Sequence, residues 1–394
     1  MRRLARSFLL PTLTATLALA APRMAAADGG GQDVIGGTDA AAGAWPDVAA
    51  VLFDGQQACT GTLIAPNWVL TAGHCADGAL DGVLIGTSSL ARPSEGETIA
   101  VIRQIPYPNS WQTFDVMLLE LAQASSRAPR TIATGWARHD IVDGAQAAIV
   151  GYGAVDQNAN QYVDELQEAT TTITDANCDD RAGCNSGAQP DGELGAGGGG
   201  IDTCPGDSGG PLYLVTDYGV FLAGVTSRGY NDNQYYCSEG GVYVRPDALI
   251  EWIEEETGLD LPDAPGASAE PLVAETGAPG TAAVDPADPH EGTSHTFAIV
   301  TPPLHGTATV DADGVVTYTS EVGYLGADEV EIEVADAAQP SRSVRTVMAI
   351  EVVEELPDED GGGCCQAGSG RGTAGPVLLV VAALLWPRRR RARQ

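Results

Sequence analysis

The chain has 394 residues and a formal net charge of −33, and it contains no lysine, so its 20 basic residues are all arginines. Ten of them lie at the two ends, which leaves ten between residues 28 and 363 to face all 53 acids. A body that acidic stays soluble by self-repulsion and is repelled by phosphate backbones, which excludes nucleic acid as a partner, and its length suits more than one folded unit.

In chain order, residues 1–27 read as a secretory signal peptide. Arg2, Arg3 and Arg6 supply the charged start, FLLPTLTATLALA (8–20) the apolar stretch, and Ala25 to Ala27 the small-residue cleavage site. Residues 28–33 are expected to be a short propeptide. From 34 to 258, apolar runs such as VAAVLF (48–53), VMLLEL (116–121), AAIVGYG (147–153) and VFLAGVTS (220–227) recur between Gly, Asn, Asp and Pro. Strand-like runs at that spacing predict an all-β barrel or sandwich. One helix is predicted at the end, PDALIEWIEEETG (246–258), with Leu249, Ile250, Trp252 and Ile253 on one face and Gly258 as its C-cap. Residues 259–282, rich in Pro, Ala, Gly and acids, read as a linker. Period-two alternation resumes from 283 to 355, with a DADG turn inside HGTATVDADGVVTYTS, and predicts a small β-sandwich. Residues 356–394 form a tail: GGGCC, an apolar core from Val377 to Trp386, and an arginine cluster. That core is shorter than the roughly 20 residues that span a bilayer comfortably.

An exported chain meets an oxidising compartment, where cysteines pair. Cys59, Cys75, Cys178, Cys184, Cys204 and Cys237 fall within the first unit, and spacing alone does not choose among their possible pairings. Zinc is the rival use, but no Cys-x-x-Cys occurs and His74 is the one histidine beside a cysteine. The stretch IDTCPGDSGGP (201–211) sets Ser208 in a glycine-rich turn. A serine hydroxyl becomes a nucleophile when a base takes its proton and a third group orients that base. His74, in TAGHC, follows a strand-like run; Asp115 opens the apolar run VMLLEL, where an acid needs a hydrogen-bonded partner.

The order His74, Asp115, Ser208 resembles a trypsin-like serine protease of the chymotrypsin fold. The resemblance spans residues 34–258 and rests on VIGG (34–37), TAGHC (71–75), DVMLLEL (115–121), GYG (151–153), CPGDSGGP (204–211) and GVYVRP (241–246). It implies a double six-stranded β-barrel with the active site between barrels. It implies Ser208 as nucleophile, His74 as general base and then acid, Asp115 as the residue orienting His74, and the N–H groups of Gly206 and Ser208 as the oxyanion hole. Asp202, six residues before Ser208, would lie at the base of the specificity pocket and attract Arg or Lys, with Ser227, Gly229 and Gly241 along the substrate. Val34, freed by cleavage, would pair its ammonium with Asp207. The residue ahead of it is Asp33, so a protease other than this one is expected to perform that cleavage. The resemblance also selects the disulfides Cys59–Cys75, Cys178–Cys184 and Cys204–Cys237, a monomer, and no metal or other cofactor.

Two features depart from the family pattern. Arg228 stands where tryptophan is usual, and either favours acidic or polar substrate side chains or lies over the cleft rim. The loop from Gly229 to Cys237 is longer than usual. The 283–355 segment resembles bacterial Ig-like and cadherin-like repeats of surface proteins, which serve as spacers or adhesive units. The tail resembles the C-terminal sorting tails of myxobacterial surface proteins, with Cys364 or Cys365 as the sorting cysteine. Together these imply a secreted endopeptidase acting on proteins or peptides and displayed on the cell envelope by sorting machinery. The alternatives are an adhesin with a vestigial protease unit, or an active protease that does not favour Arg and Lys.

Overall fold

The structure is a computed structural model that describes residues 34–76, 78–261 and 264–356. The expected signal peptide and propeptide, and the tail from residue 357 with Cys364 and Cys365, lie outside the described residues.

The first barrel closes through β2 (Val48–Phe53), β3 (Gln56–Ala65), β4 (Trp68–Thr71), β7 (Met117–Leu121), β6 (Glu97–Pro106) and β5 (Gly82–Ile85). The second runs β8 (Gln146–Gly151), β9 (Gln167–Asp175), β10 (Glu193–Ala196), β13 (Gly241–Val244), β12 (Val220–Gly229) and β11 (Pro211–Val215). Pairing of β11 with β8 closes it, and β1 (Thr38–Asp39) adds to β9. Successive side chains on a strand point to opposite faces, and this sorts the residues among three cores. Met117, Leu119 and Leu121 join Ala49, Val51, Val69 and Val83 inside the first barrel. Ala147 and Ile149 join Ile173, Leu194, Leu212 and Tyr243 inside the second. The intervening residues Leu118, Ala148 and Val150 meet Val48, Ala50, Leu70 and Val225 in the seam between barrels. Strands buried on both faces explain why their sequences are continuously apolar rather than alternating.

The seam also holds a polar knot. Asp47 is 1% exposed and takes both Arg130, at 2.6 Å, and the Tyr213 hydroxyl, at 2.5 Å, while Trp45 stacks on Tyr213 with centroids 4.7 Å apart. A buried carboxylate is tolerated when its lone pairs are taken this completely. The predicted C-terminal helix forms as a turn of 3-10 helix, Pro246–Leu249, followed by α1 (Ile250–Thr257). Leu249 and Ile253 are buried in the seam, and Gly258 caps α1 at φ 70°, its N–H donating to the Glu254 carbonyl at 2.8 Å.

Residues 268–282, expected to be linker, instead contribute strands. β14 (Ser268–Ala269) and β16 (Pro279–Asp285) pair with β19 (Val315–Ser320) and β18 (Gly306–Val310) in one sheet. β15 (Leu272–Glu275), β21 (Ser343–Val353), β20 (Gly326–Asp336) and β17 (His295–Thr301) form the other. The alternation here is carried by Leu272, Ala274 and Val284 among Pro, Gly and Ala, too small a hydrophobic signal to stand out against a linker composition. The DADG hairpin turn joins β18 to β19 as predicted, with Gly314 at φ 80°.

The sandwich and the barrel unit share a contact. Trp136 is fully buried with Leu272, Val316 and Val330 of the sandwich, and its indole N–H donates to the Pro286 carbonyl at 2.8 Å. Asp140 beside it accepts from Tyr218, Arg342 and His290, at 2.5, 3.2 and 3.1 Å.

Candidate active site

His74 sits in a 3-10 turn, Gly73–Ala76, directly after β4. Cys75 ties this turn to β3 through the Cys59–Cys75 disulfide. Asp115 approaches from the segment ahead of β7. A Cβ on Gly73 would stand 2.8 Å from Ser110 and 3.1 Å from the Asp115 carboxylate, so glycine there lets the two segments close. The His74 ring places Nδ1 2.8 Å from Asp115 Oδ2, and the His74 main-chain N–H donates to Oδ1 at 2.9 Å. The Ser227 hydroxyl donates to Oδ2 at 2.6 Å. Burial opposes ionisation of Asp115, but the bonds from His74 and Ser227 outweigh it and hold the carboxyl below its ordinary range. Asp115 is therefore an anion at neutral pH, able to accept from a protonated His74 Nδ1 and so orient the ring.

Ser208 lies in the turn before β11, half-buried, with its carbonyl accepting from Thr60 N–H at 2.9 Å on the first barrel. The turn is left-handed at Gly206 (φ 101°), and a Cβ there would come within 2.9 Å of the Gly153 backbone. The Gly206 carbonyl is held by Gln57 and Thr60, each at 2.9 Å. Among the described residues no hydrogen-bond partner takes the N–H of Gly206 or of Ser208. Two main-chain donors without a partner beside a serine are what an oxyanion site requires.

Asp207 is fully buried between these elements, accepting N–H bonds from Gly153 at 2.7 Å and Cys204 at 2.9 Å. No cationic side chain contacts it among the described residues, and burial pushes its carboxyl up to about 7 against those two bonds. The GYG motif makes room for it: a Cβ on Gly151 or Gly153 would fall 2.1 or 2.5 Å from the Asp207 carboxylate. Val34 is fully buried in the second-barrel core, and the Ile35 carbonyl accepts from Asp202 N–H at 3.2 Å.

Asp202 is 2% exposed. Its Oδ2 accepts main-chain N–H bonds from Ser238, Glu239 and Gly240 at 2.9, 3.1 and 2.9 Å, and Oδ1 accepts from Thr203 at 2.8 Å. Burial raises its carboxyl to about 6, opposed by those four bonds. Gly229 and Gly241 face each other across β12 and β13. A Cβ on Gly241 would stand 2.7 Å from the Arg228 carbonyl, and one on Gly229 3.0 Å from Asn233 Nδ2. The long loop is pinned by Asn233 to Gly240, at 3.0 Å, and by Arg181 to Glu239 and Asp232, at 2.8 Å each.

Arg228 lines the cleft beside His74 and Asp115, with its guanidinium turned inward to Glu193 of β10, at 2.9 Å, and to the Gly183 carbonyl, at 2.7 Å, because Glu193 is fully buried and needs a cation there. Glu193 carried no sequence signal: it is one acid in a chain full of them, inside the unremarkable stretch ELGA. His74, Ser110, Asp115, Asn185, Ser227 and Arg228 line a cleft of about 410 Å³. A larger cavity of about 740 Å³, between β9 and the 197–201 segment, holds none of His74, Asp115 and Ser208. Cys178–Cys184 and Cys204–Cys237 are bonded as the resemblance implied, the latter beside Asp202.

Two closed barrels with a histidine–aspartate pair and a glycine-framed serine between them define a serine protease domain of the chymotrypsin fold. Comparison with protein families matches residues 34–253 to trypsin and 262–348 to a bacterial Ig domain. The chain belongs to the trypsin family. It is 35% identical over 237 residues to "Serine protease 56" of Mus musculus and 34% identical to that of Homo sapiens, covering 57% of this chain in each case. The chain spans only 38% of the length of those two relatives. It is 28% identical over 235 residues to "Brachyurin" of Leptuca pugilator, which covers 57% of this chain and 99% of that protein.

Proposed function

We propose that the protein is a serine endopeptidase that cleaves after Arg or Lys through an acyl-enzyme. Ser208 Oγ attacks the scissile carbonyl as His74 Nε2 takes its proton, and the N–H groups of Gly206 and Ser208 hold the oxyanion. His74 then protonates the leaving amine, and water activated by the same imidazole releases the acid product. The observation that carries this reading is the Asp115 carboxylate, which is buried, ionised and bonded to both His74 Nδ1 and the His74 main chain. Asp202 supplies the negative charge for a cationic side chain. Three bonds overfill Oδ2 while Oδ1 accepts one, so the acceptor site left to a ligand is the second lone pair of Oδ1. Recognition is therefore end-on rather than bidentate, and arginine should hold little advantage over lysine. The same crowding of Oδ2 favours the competing reading, a protease for uncharged side chains. Turnover of peptides bearing Arg, Lys, Phe or Ala before the cleaved bond, with and without Asp202→Ser, separates the two. Loss of Arg and Lys turnover with Asp202 supports cationic specificity; an unchanged profile sinks it.

Activation follows from cleavage ahead of Val34 by another protease, whose product ammonium would meet the Asp207 carboxylate. The protein substrates are reached outside the cell, the chain being secreted and displayed on the envelope through its tail, with the Ig domain as spacer.

A further inference from the structure

The inward turn of Arg228 forms a continuous chain of hydrogen bonds that ends at His74. Arg228 Nη2 donates to both oxygens of Glu193, each at 2.9 Å. Nε and Nη2 donate to the Gly183 carbonyl at 2.9 and 2.7 Å. Nη1 donates to Ser227 Oγ at 2.9 Å, Ser227 donates to Asp115 Oδ2 at 2.6 Å, and the same oxygen stands 2.8 Å from His74 Nδ1. A guanidinium only donates, so Ser227 Oγ accepts from Arg228, and the single hydroxyl proton is left for Asp115. A serine without that partner is free to rotate its proton elsewhere.

We propose that the Glu193–Arg228 pair positions the triad: it fixes Ser227 as a donor to Asp115 and so sets how strongly that carboxylate holds His74. Glu193 and Gly183 lock the plane of the guanidinium, and Glu193 balances its charge. Burial raises the Glu193 carboxyl while Arg228 works against it, as expected of an acid that depends on this one cation. Among the described residues, the charged groups around His74 are Asp115 ahead of β7, Arg228 on β12 and, behind it, Glu193 on β10. Ser110, Asn185 and Asn231, which complete the cleft, are neutral.

The inference rests on the triad reading, and its test is built to fail separately. His74 is titrated by imidazole NMR in the whole chain carrying Ser208→Ala, where no turnover is needed; His74→Gln assigns the signal. Glu193→Gln leaves the guanidinium uncompensated and disfavours the imidazolium, so the midpoint should fall. Arg228→Met with Glu193→Gln removes the pair together, releases Ser227 and strengthens Asp115 as the imidazolium's partner, so the midpoint should rise. Each shift is expected to be roughly half a pH unit. Removing both members of a buried pair is often tolerated by the fold, and circular dichroism checks it. With Ser208 present, kcat should fall about tenfold in the double variant with KM little changed, and Arg228→Lys in the parent should retain more of kcat than Arg228→Met. An unmoved His74 midpoint and unmoved kcat would overturn the proposal. Opposite NMR shifts in a protein whose hydrolysis ignores Ser208 would uphold the linkage and sink the catalytic reading instead.

Discussion

Asp202 is a carboxylate whose charge sits near the edge of the physiological range. Held near 6 by burial, it is ionised at pH 8 and neutral at pH 5. Selectivity for Arg over Phe substrates should therefore collapse as pH falls through about 6. The ratio of kcat/KM for the two substrates cancels effects common to both; a ratio unchanged between pH 8 and 5 would remove Asp202 from recognition. Gly153 gives a second test at this scale. An alanine there puts a methyl 2.5 Å from the Asp207 carboxylate and must displace the turn that presents Gly206 and Ser208. We expect Gly153→Ala to cut kcat by about 100-fold or more, the loss typical of a missing oxyanion donor, while the His74–Asp115 pair stays intact by NMR. His74, Asp115 and Ser208 were legible in the sequence as candidates because each lies in a short motif. Glu193 was not, since its role depends on a contact with Arg228, 35 residues away, that no local pattern encodes.

The turn from Cys204 to Gly210 buries an acid, Asp207, that no cationic side chain contacts among the described residues. The folded Asp207 carboxyl is raised to about 7, above its ordinary value of 3.8, so its ionisation opposes folding little near pH 4, progressively more between pH 4 and 7, and by a constant amount above. The cost grows by roughly 1.4 kcal/mol for each pH unit over that interval. In the uncut chain Asp207→Asn should therefore raise stability at pH 8 by a few kcal/mol and leave it unchanged at pH 4, measured by urea unfolding. An equal effect at both pH values would show that the acid is not the source. At this scale the barrel strands and helix α1 were predictable from apolar runs and from a glycine C-cap. The strands β14 to β16 were hidden because their buried positions are only Leu272, Ala274 and Val284, set among small residues.

The barrels and the sandwich are joined through Trp136. Its side chain belongs to the barrel unit by sequence but is buried in the core of the Ig domain, bonded to Pro286. The sandwich is thus packed against the barrel unit. Trp136→Ala should cost about 3–5 kcal/mol, the usual range for deleting a buried tryptophan, and should lower the calorimetric melting of both units. Melting of the sandwich that is indifferent to Trp136 would separate the two. No periodicity marked this contact in advance: Trp136 lies in GWARHD, a short 3-10 segment that sends Ala137 into the second barrel and Trp136 into the sandwich core.

The most direct test of the account is hydrolysis of an arginine peptide by the whole chain, cut ahead of Val34, with Ser208 or with Ser208→Ala. The account predicts turnover that falls at least about 1,000-fold when the hydroxyl is removed. Full turnover by the alanine form would contradict it.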